Sequence, residues 1–374
     1  MTAKTIKTDA IRERMSERGM NASDVAANLG VSRTIVSEWL KGKKVPRPRM
    51  LFELGRLLGL KASDLFMAPS TSEPIIAFRK RGNCKPDQGV ALEMGYVLER
   101  IVDYLPFNKY QSPPRLINPK NTPEYIENVA GEIRKSMNVA ALEIGVEDLI
   151  AQCQQLKIVL VPVLWGEKSV KYNALSIYLP DSGTNWVFLN LDVKPMDFKF
   201  WILHEMIHAL VRGAFADTVE EERFCDELSA AILVPLEFAE ILLQKTLAAE
   251  KKGTKFEAIL SAARSLVVSP ISLAKRVDSV AKARGKELPC GEAVFSENTT
   301  FNKEFGLVSE KYFDSLPPSA DEFIRVSERE FGTPAFAALA AYLKATGSSE
   351  GAVAAALGIS PVDAKAMYRA LLRE

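Results

Sequence analysis

The chain is poor in histidine and cysteine, the residues that most often bind transition metals. Its 374 residues include only two histidines and four cysteines. No C-x-x-C pair occurs, because the cysteines are far apart in the sequence, at Cys84, Cys153, Cys225 and Cys290. This spacing argues against a zinc ribbon and against a dithiol redox motif. We expect free thiols in a reducing compartment, the cytoplasm.

Long apolar runs are also missing. The longest apolar stretches, such as Ile158 to Trp165, are far shorter than the ~20 residues of a membrane-spanning helix. The N-terminal segment has no apolar core behind its basic residues, so we expect no signal peptide. Hydrophobic content of 47% and charged content of 25% are ordinary for a soluble globular protein, so we expect no membrane partner.

Charge is unevenly distributed, although the net charge is only +1. Residues 1–66 hold 13 Lys and Arg against 7 Asp and Glu, a net charge of +6, which leaves −5 for residues 67–374. Basic segments attract the phosphates of nucleic acids, whereas acidic surfaces repel them. The sequence therefore predicts that only the N-terminal part binds nucleic acid.

A chain of this length favours two or three domains. Three strand-like runs, KIVLVPVLW, ALSIYL and WVFLNLD, are bracketed by helical patterns, which indicates an α+β fold with a small, mostly antiparallel sheet. The small, polar and proline-bearing sequence PSTSEP marks a linker. We predict an all-α head at 1–68, the linker at 69–75, a body at 76–290 and a helical C-terminal region at 291–374.

The head contains the pattern of a helix-turn-helix in SDVAANLGVSRTIVSEWLKGKKVPRP. Gly30 supplies the turn after the first helix, and Ser32 can cap the next one. Core spacing in that second helix is predicted for Ile35, Val36, Trp39 and Leu40. The remaining side chains near its N-terminus would face base edges: Arg33, Thr34, Ser37 and Glu38. The lysines that follow would contact phosphates: Lys41, Lys43 and Lys44.

Over roughly residues 8–66 this head resembles the Cro/cI (XRE) type of helix-turn-helix. The G-K-x-x-P turn and the ending ELGRLLGLKASDLF carry the resemblance. It implies binding to a double-stranded DNA operator as a homodimer on paired half-sites. Ala22 departs from the family, which usually has a phosphate-binding glutamine there. The alternative is a helical unit used only for dimerisation or for docking a partner.

Both histidines lie in one motif, HEMIH, as His204 and His208. A spacing of four residues places two imidazoles on one face of a helix, where both can bind one tetrahedral metal. Glu205 follows about 100° around the helix and can serve as a general base. The surrounding sequence KFWILHEMIHALV is otherwise apolar, and buried polar groups there need partners. The alternative is a chance motif on an amphipathic helix.

A third ligand must be a carboxylate or, less favourably, a cysteine, because the chain has no third histidine. The next helical pattern, VEEERFCDELSAAILVP, offers Glu222 at the edge of its apolar face as the preferred ligand. Asp226, one turn later, can hold a ligating imidazole through its N–H. Glu221 remains a rival ligand, and Cys225 is better explained as a packed thiol. Ligand type favours Zn²⁺ over other metals.

The body resembles the ImmA/IrrE family of zinc metallopeptidases. WILHEMIHAL and ERFCDELSAAILVP carry the resemblance, which extends more weakly over 75–285 through AFRKRG and ARSLVVSPISLAKRVD. It implies a zincin-like body, Zn²⁺ held by His204, His208 and Glu222, and Glu205 as base. Family members cleave repressors or control stress and prophage genes, and forms fused to a Cro/cI-type head are common. Peptidases of this architecture bind substrate along an edge strand, here expected to be Trp186–Asp192.

The sequence thus predicts a DNA-binding regulator with zinc-dependent endopeptidase activity on a repressor or another regulatory protein. One alternative is a regulator whose peptidase-like body only senses metal or ligand, and another is an antitoxin-like repressor. The residue that stabilises the oxyanion stays open among Tyr172, Tyr178 and Arg212. Two further helix-turn-helix-like segments, at 262–269 and 353–360, are predicted to serve packing or dimerisation rather than DNA contact.

Overall fold

The fold is described from a computed structural model. It describes residues 8–41, 44, 46, 48–60, 72–80, 88–106, 114–139, 141–164, 172–249, 252–288 and 291–373.

In the described part of the head there are four short helices: α1 Thr8–Glu17, α2 Ala22–Leu29, α3 Arg33–Leu40 and α4 Pro48–Leu58. Asn21 caps α2 in a capping box with Asp24, and Gly30 ends this helix in the left-handed conformation with φ 64°. The Ser32 hydroxyl accepts a hydrogen bond from the Ile35 backbone N–H and so begins α3, as predicted. The turn between α2 and α3 is therefore specified by local sequence.

The head has its own apolar core. Val25 of α2, Val36 and Trp39 of α3, and Leu54 and Leu58 of α4 are buried there. The core prediction for Ile35 is wrong, because this side chain is 36% exposed. Val36 and Trp39 already occupy the inward face of α3, and Ile35 lies about 100° away from Val36.

From Ile75 onward the chain contains four strands and fourteen α-helices within the described ranges. The strands are β1 Ile75–Lys80, β2 Ile158–Val163, β3 Tyr172–Leu179 and β4 Thr184–Asn190. The helices are α5 Gln88–Ile101, α6 Pro123–Ser136, α7 Val146–Gln155, α8 Pro195–Val211, α9 Thr218–Leu233, α10 Leu236–Ala248, α11 Lys252–Leu266, α12 Pro270–Ala283, α13 Gly291–Lys303, α14 Val308–Tyr312, α15 Ala320–Phe331, α16 Ala335–Thr346, α17 Glu350–Leu357 and α18 Pro361–Leu372. A 3₁₀ turn, Val102–Tyr104, follows α5.

The strands form one mixed sheet in the order β1-β3-β4-β2. β3 pairs antiparallel with β1 and with β4, and β2 pairs parallel with β4. The α+β expectation is confirmed, and all three strand-like runs are strands. Ile75 begins β1 and pairs with Tyr178, although the sequence assigned it to the linker.

Helices cover both faces of this sheet. Along β4, Val187 and Leu189 pack against the core that includes α6 to α13, while Trp186 and Phe188 pack against α5 and α15 to α18. Because neither face meets water, β2 and β4 are buried at every position, and each contains a continuous apolar run, IVLVPV in β2 and WVFL in β4. The sheet is thus the middle layer of three.

The expectation that Trp186–Asp192 is an edge strand is wrong. β4 is hydrogen-bonded to β3 on one side and to β2 on the other. Beyond β4, the Leu191 N–H donates to Val163, and the Leu191 carbonyl accepts from Ser309. Both edges of this segment are occupied, so a substrate strand cannot be added to it.

The C-terminal region is helical, as predicted, but it packs as part of the body. Val294 and Phe301 of α13 join the core on the α8 side of the sheet, and Val353 and Leu357 of α17 join the core on the other side. The segment 353–360 therefore serves packing within the chain.

Segment 262–269 joins α11 to α12, and its Ala263, Leu266 and Val268 side chains are buried within the body. Among the helices of the described ranges, none taken alone is long and apolar enough to cross a bilayer. One pair of consecutive helices, Phe256–Leu266 and Pro270–Ala283, is together long and apolar enough by length and composition only, and the pair is bent by 115°.

Candidate metal centre

Helix α8 carries both histidines at the centre of the body. Pro195 begins the helix, where its missing N–H costs no hydrogen bond, and Asp197 in the first turn suits the positive end of the helix dipole. Most of the helix is buried against the sheet and the surrounding helices. His204 and Glu205 are each only 1% exposed. Such polar groups require partners inside the protein.

The two imidazoles lie side by side. Their ring centroids are 4.7 Å apart, and the two Nε2 atoms are separated by 3.0 Å. Two nitrogen ligands that are 2.0–2.1 Å from a tetrahedral zinc lie about 3.3 Å from one another. The pair is therefore spaced as two ligands of one small metal ion would be.

Helix α9 brings Glu222 to the same point. Its Oε2 is 3.4 Å from His204 Nε2, and its Oε1 is 3.2 Å from His208 Nε2. The three residues could hold a metal ion, since each offers one ligand atom within 4.8 Å of the others. Two imidazoles and one carboxylate are a donor set that suits a catalytic zinc, with a fourth position left open.

Each imidazole also has a carboxylate behind it. Asp226 Oδ1 lies 3.0 Å from Nδ1 of His204. Glu221 Oε1 lies 2.8 Å from Nδ1 of His208. These contacts turn both Nε2 atoms towards Glu222, which is how outer carboxylates commonly orient ligating histidines. Glu221, the rival ligand in the sequence, contacts the nitrogen of His208 that faces away from Glu222.

The carboxylates change the pKa values of the cluster. Burial opposes protonation of His204, but its hydrogen bonds with Asp226 and Glu222, and the charge of Glu205, outweigh burial and raise its pKa. The pKa of His208 is also raised, since hydrogen bonds with neighbouring thiol and carboxylate groups outweigh burial. Burial opposes ionisation of Glu222, yet its hydrogen bonds with both histidines lower its pKa. A cation that binds here would release protons.

Cys225 is next to the cluster, with Sγ 3.6 Å from His208 Nδ1. Burial raises the pKa of its thiol to about 11. This sulfur lies at Nδ1 of His208, whereas Glu222 lies at Nε2 of the same ring. The contact is thus that of a packed thiol.

The three candidates for oxyanion stabilisation differ in what the structure shows. The Arg212 guanidinium stacks on the ring of Tyr178, 3.3 Å from the ring centroid, and donates a hydrogen bond to Asn185. Burial lowers the pKa of Arg212. The side chain of Tyr172 lies outside the described residues. Arg212 and Tyr178 are thus held together by contacts at the end of α8.

In the head, the predicted base-reading residues lie on one side of α3. Arg33 and Thr34 are exposed, whereas Ser37 and Glu38 are half-buried. Of the phosphate candidates, Lys41 is exposed, Lys44 pairs with Glu38 at 2.9 Å, and Lys43 lies outside the described residues. The ion pair with Lys44 was not expected from the sequence.

Comparison with protein-family models decides what the head is. Residues 11–65 match the model described as helix-turn-helix. The head is a helix-turn-helix DNA-binding domain. The chain is accordingly a DNA-binding transcription regulator, which confirms the prediction from charge and motif. No curated protein matches the chain. No solved structure matches it either.

The sequence did not reveal every residue of this cluster. The contact of Glu221 with Nδ1 of His208 was not predicted. Its position next to Glu222 was the available signal, because two adjacent carboxylates can contact the two nitrogens of one imidazole. Asn185 was missed because an asparagine at the start of a strand carries no such signal. Phe200, whose ring stacks on His204 with centroids 6.1 Å apart, read simply as an apolar helix residue.

Proposed function

We propose that the body is a zinc-dependent endopeptidase, which the helix-turn-helix head carries to an operator. The observation that supports this most strongly is the triangle of His204, His208 and Glu222 beside Glu205. The proposed substrate is a regulatory protein, such as a repressor, in a stress or prophage-type response. The resemblance of the two helix motifs to the ImmA/IrrE metallopeptidases supports this choice.

Each residue has a distinct role in this proposal. The Nε2 atoms of His204 and His208 and the carboxylate of Glu222 would hold Zn²⁺, which supplies Lewis-acid polarisation of the scissile carbonyl and makes a water molecule more acidic. Glu205 would accept the proton of the attacking water at its carboxylate and pass it to the leaving amine. Asp226 and Glu221 would fix the ring orientation of the two histidines.

Two features favour an enzyme over a structural zinc site. Three protein ligands leave one position open, whereas structural zinc sites are closed by four. The Glu222 side chain is 45% exposed, so the centre can be reached from solvent on the α9 side. A structural site would also have no use for a general base such as Glu205, whose charge lies near His204.

The head gives the proposed activity a location. Its net charge of +6 within residues 1–66 suits phosphate binding, and the exposed Arg33 and Thr34 can face base edges. Binding as a homodimer to paired half-sites would place two bodies at one operator. Cleavage of a repressor at that position would switch a gene on.

The test compares Glu205→Gln with the wild-type chain. Zinc content is measured after chelation and reconstitution, and new protein N-termini are mapped in cells that express either form. We expect about one zinc per chain in both, and new N-termini only with the wild type. Glu220→Gln, on the exposed side of α9, is the matched control and should behave as the wild type.

A regulator that only senses metal would need the same three ligands but not Glu205. Identical sets of N-termini from the wild type and Glu205→Gln, together with retained zinc, would refute the peptidase and favour that alternative. Loss of zinc from Glu205→Gln would instead show that Glu205 supports the metal rather than the chemistry.

A further inference from the structure

Ile35 is an apolar residue at the surface of α3, the second helix of the helix-turn-helix. Its side chain is 36% exposed, whereas Val36 and Trp39 of the same helix are 1% and 5% exposed. Single exposed apolar side chains are common on protein surfaces and by themselves indicate no function. Ile35 differs from the others because it lies in the first turn of α3, within the DNA-binding domain.

The direction of the Ile35 side chain is set by contacts on either side of it. The Ile35 N–H donates a 3.3 Å hydrogen bond to the Ser32 hydroxyl, which caps α3. One turn later, Trp39 is buried in the core of the head and holds α3 against its neighbours. The first turn of α3 is therefore fixed at both ends, and Ile35 points outward in a defined direction.

The first turn is also the part of a helix-turn-helix that meets base edges in the major groove. Arg33 and Thr34, which precede Ile35 in this turn, are both exposed. Successive residues of a helix are 100° apart, so Thr34 and Ile35 cover adjoining parts of the surface of α3. Together, the methyl group of Thr34 and the side chain of Ile35 give the groove-facing end of α3 an apolar surface.

The nearest acidic group is paired with a lysine. Glu38 is three residues after Ile35 and so is its neighbour on the surface of the helix, where its charge alone would repel DNA phosphates. The Lys44 ammonium group lies 2.9 Å from the Glu38 carboxylate, and the Lys44 N–H donates to the Glu38 carbonyl. This ion pair offsets the negative charge, so α3 can approach the bases closely enough for Ile35 to contact them.

We propose that Ile35 recognises a thymine of the operator by contact with its 5-methyl group. Among the four bases, only thymine presents a methyl group in the major groove, where the bases otherwise offer hydrogen-bond donors and acceptors. Isoleucine can bury a methyl group, but it would remove water from polar groups without replacing their hydrogen bonds. Ile35 therefore favours a T·A pair at one position of the operator. The proposal concerns the head alone and does not depend on the proposed peptidase.

Replacing thymine by uracil tests this contact, because uracil lacks only the methyl group. The full-length wild-type chain first selects its preferred DNA from random-sequence duplexes. Each thymine of that DNA is then replaced singly by uracil, and binding is measured by fluorescence anisotropy at one salt concentration. At the thymine that Ile35 contacts, we expect loss of the methyl group to weaken binding about four-fold.

The variant Ile35→Ala should abolish this difference and bind the thymine and uracil duplexes equally. Alanine favours the helix and the position is exposed, so the head should remain folded, which circular dichroism checks. Ile35→Val, which removes a single carbon, should retain part of the difference. Ile241→Ala is the matched control, because Ile241 is 53% exposed on α10 of the body. It should retain the full four-fold difference.

Failure to select any preferred DNA, or equal binding of the wild type to every uracil-substituted duplex, would overturn the proposal. A four-fold difference that persists in Ile35→Ala, at any overall affinity, would also overturn it. Such a result would assign the methyl effect to another side chain or to the shape of the DNA. If Ile35→Ala does not fold, Ile35→Val decides, because an undiminished difference in that variant would refute the contact.

Discussion

Replacing Glu221 by glutamine separates the two carboxylates that α9 presents to His208. Glu221 Oε1 is 2.8 Å from Nδ1 of His208, whereas Glu222 Oε1 is 3.2 Å from Nε2 of the same ring. If Glu222 is the ligand, Glu221 acts only by orienting the ring and by making its Nε2 more basic. Glutamine retains the shape and one acceptor oxygen but loses the negative charge.

The expected effect follows from that geometry. Loss of a carboxylate behind a ligating histidine typically weakens metal binding about 10–100-fold. This range corresponds to about 1.4–2.7 kcal/mol of binding free energy. The Glu221 side chain is only 21% exposed, so water replaces its charge poorly and an effect within this range is expected. Glu222→Gln removes a ligand oxygen and should reduce affinity much further.

The assay is competition for zinc against a chromophoric chelator, with stoichiometry measured separately by metal analysis. Glu221→Gln should still bind about one zinc per chain at saturation, whereas Glu222→Gln should lose it under the same conditions. Glu220→Gln, one position earlier and exposed, is the control and should match the wild type. The reverse pattern, with zinc lost from Glu221→Gln and only weakened in Glu222→Gln, would refute the assignment of ligand and orienting group.

Two further predictions concern DNA binding and pH. Lys41→Ala should weaken binding to all DNA sequences alike and reduce the salt slope by about one, measured by fluorescence anisotropy. Lys365→Ala, exposed on α18, should not do so, and an unchanged salt slope in Lys41→Ala would exclude a phosphate contact. Burial lowers the pKa of Lys199 from its usual 10.5. Between the folded pKa and about 10.5, Lys199 is therefore more protonated in the unfolded state than in the folded state. In that pH range its contribution makes the free energy of unfolding increase with pH. Lys199→Met should remove this contribution in urea unfolding across that pH range, and an unchanged slope would contradict it.

Several features of this protein depend on neighbours in sequence and were predictable for that reason. Because residues four apart in a helix lie on the same face, His204 and His208 are neighbours regardless of what packs around the helix. Gly30 and Ser32 specify helix ends in the head through caps that involve only residues close in sequence. The short apolar runs of β2, β3 and β4 indicated strands because they have the length of a buried strand and because a turn signal separates the last two.

Other features depend on which elements meet across the fold. The sequence WVFLNLD indicates a strand but carries no information about its partners, so the internal position of β4 could not be predicted. Periodicity placed Glu222 and Asp226 at the edge of the apolar face of α9 and left Glu221 as a rival ligand. The angle at which α9 crosses α8 decides which nitrogen each carboxylate reaches. In the same way, Ile35 has the chemistry of a core residue, and only the packing of α3 on α2 and α4 leaves it at the surface.

The sequence by itself therefore determined the local chemistry: a basic helix-turn-helix, two histidines with a glutamate on one helix, and the strands of a small sheet. Tertiary structure alone decided the order of the strands, the incorporation of residues 291–373 into the body, and the histidine nitrogen that each carboxylate of α9 contacts. The physical reason is that caps and periodicity act over a few residues. Packing, in contrast, depends on the shapes of surfaces that are far apart in the chain.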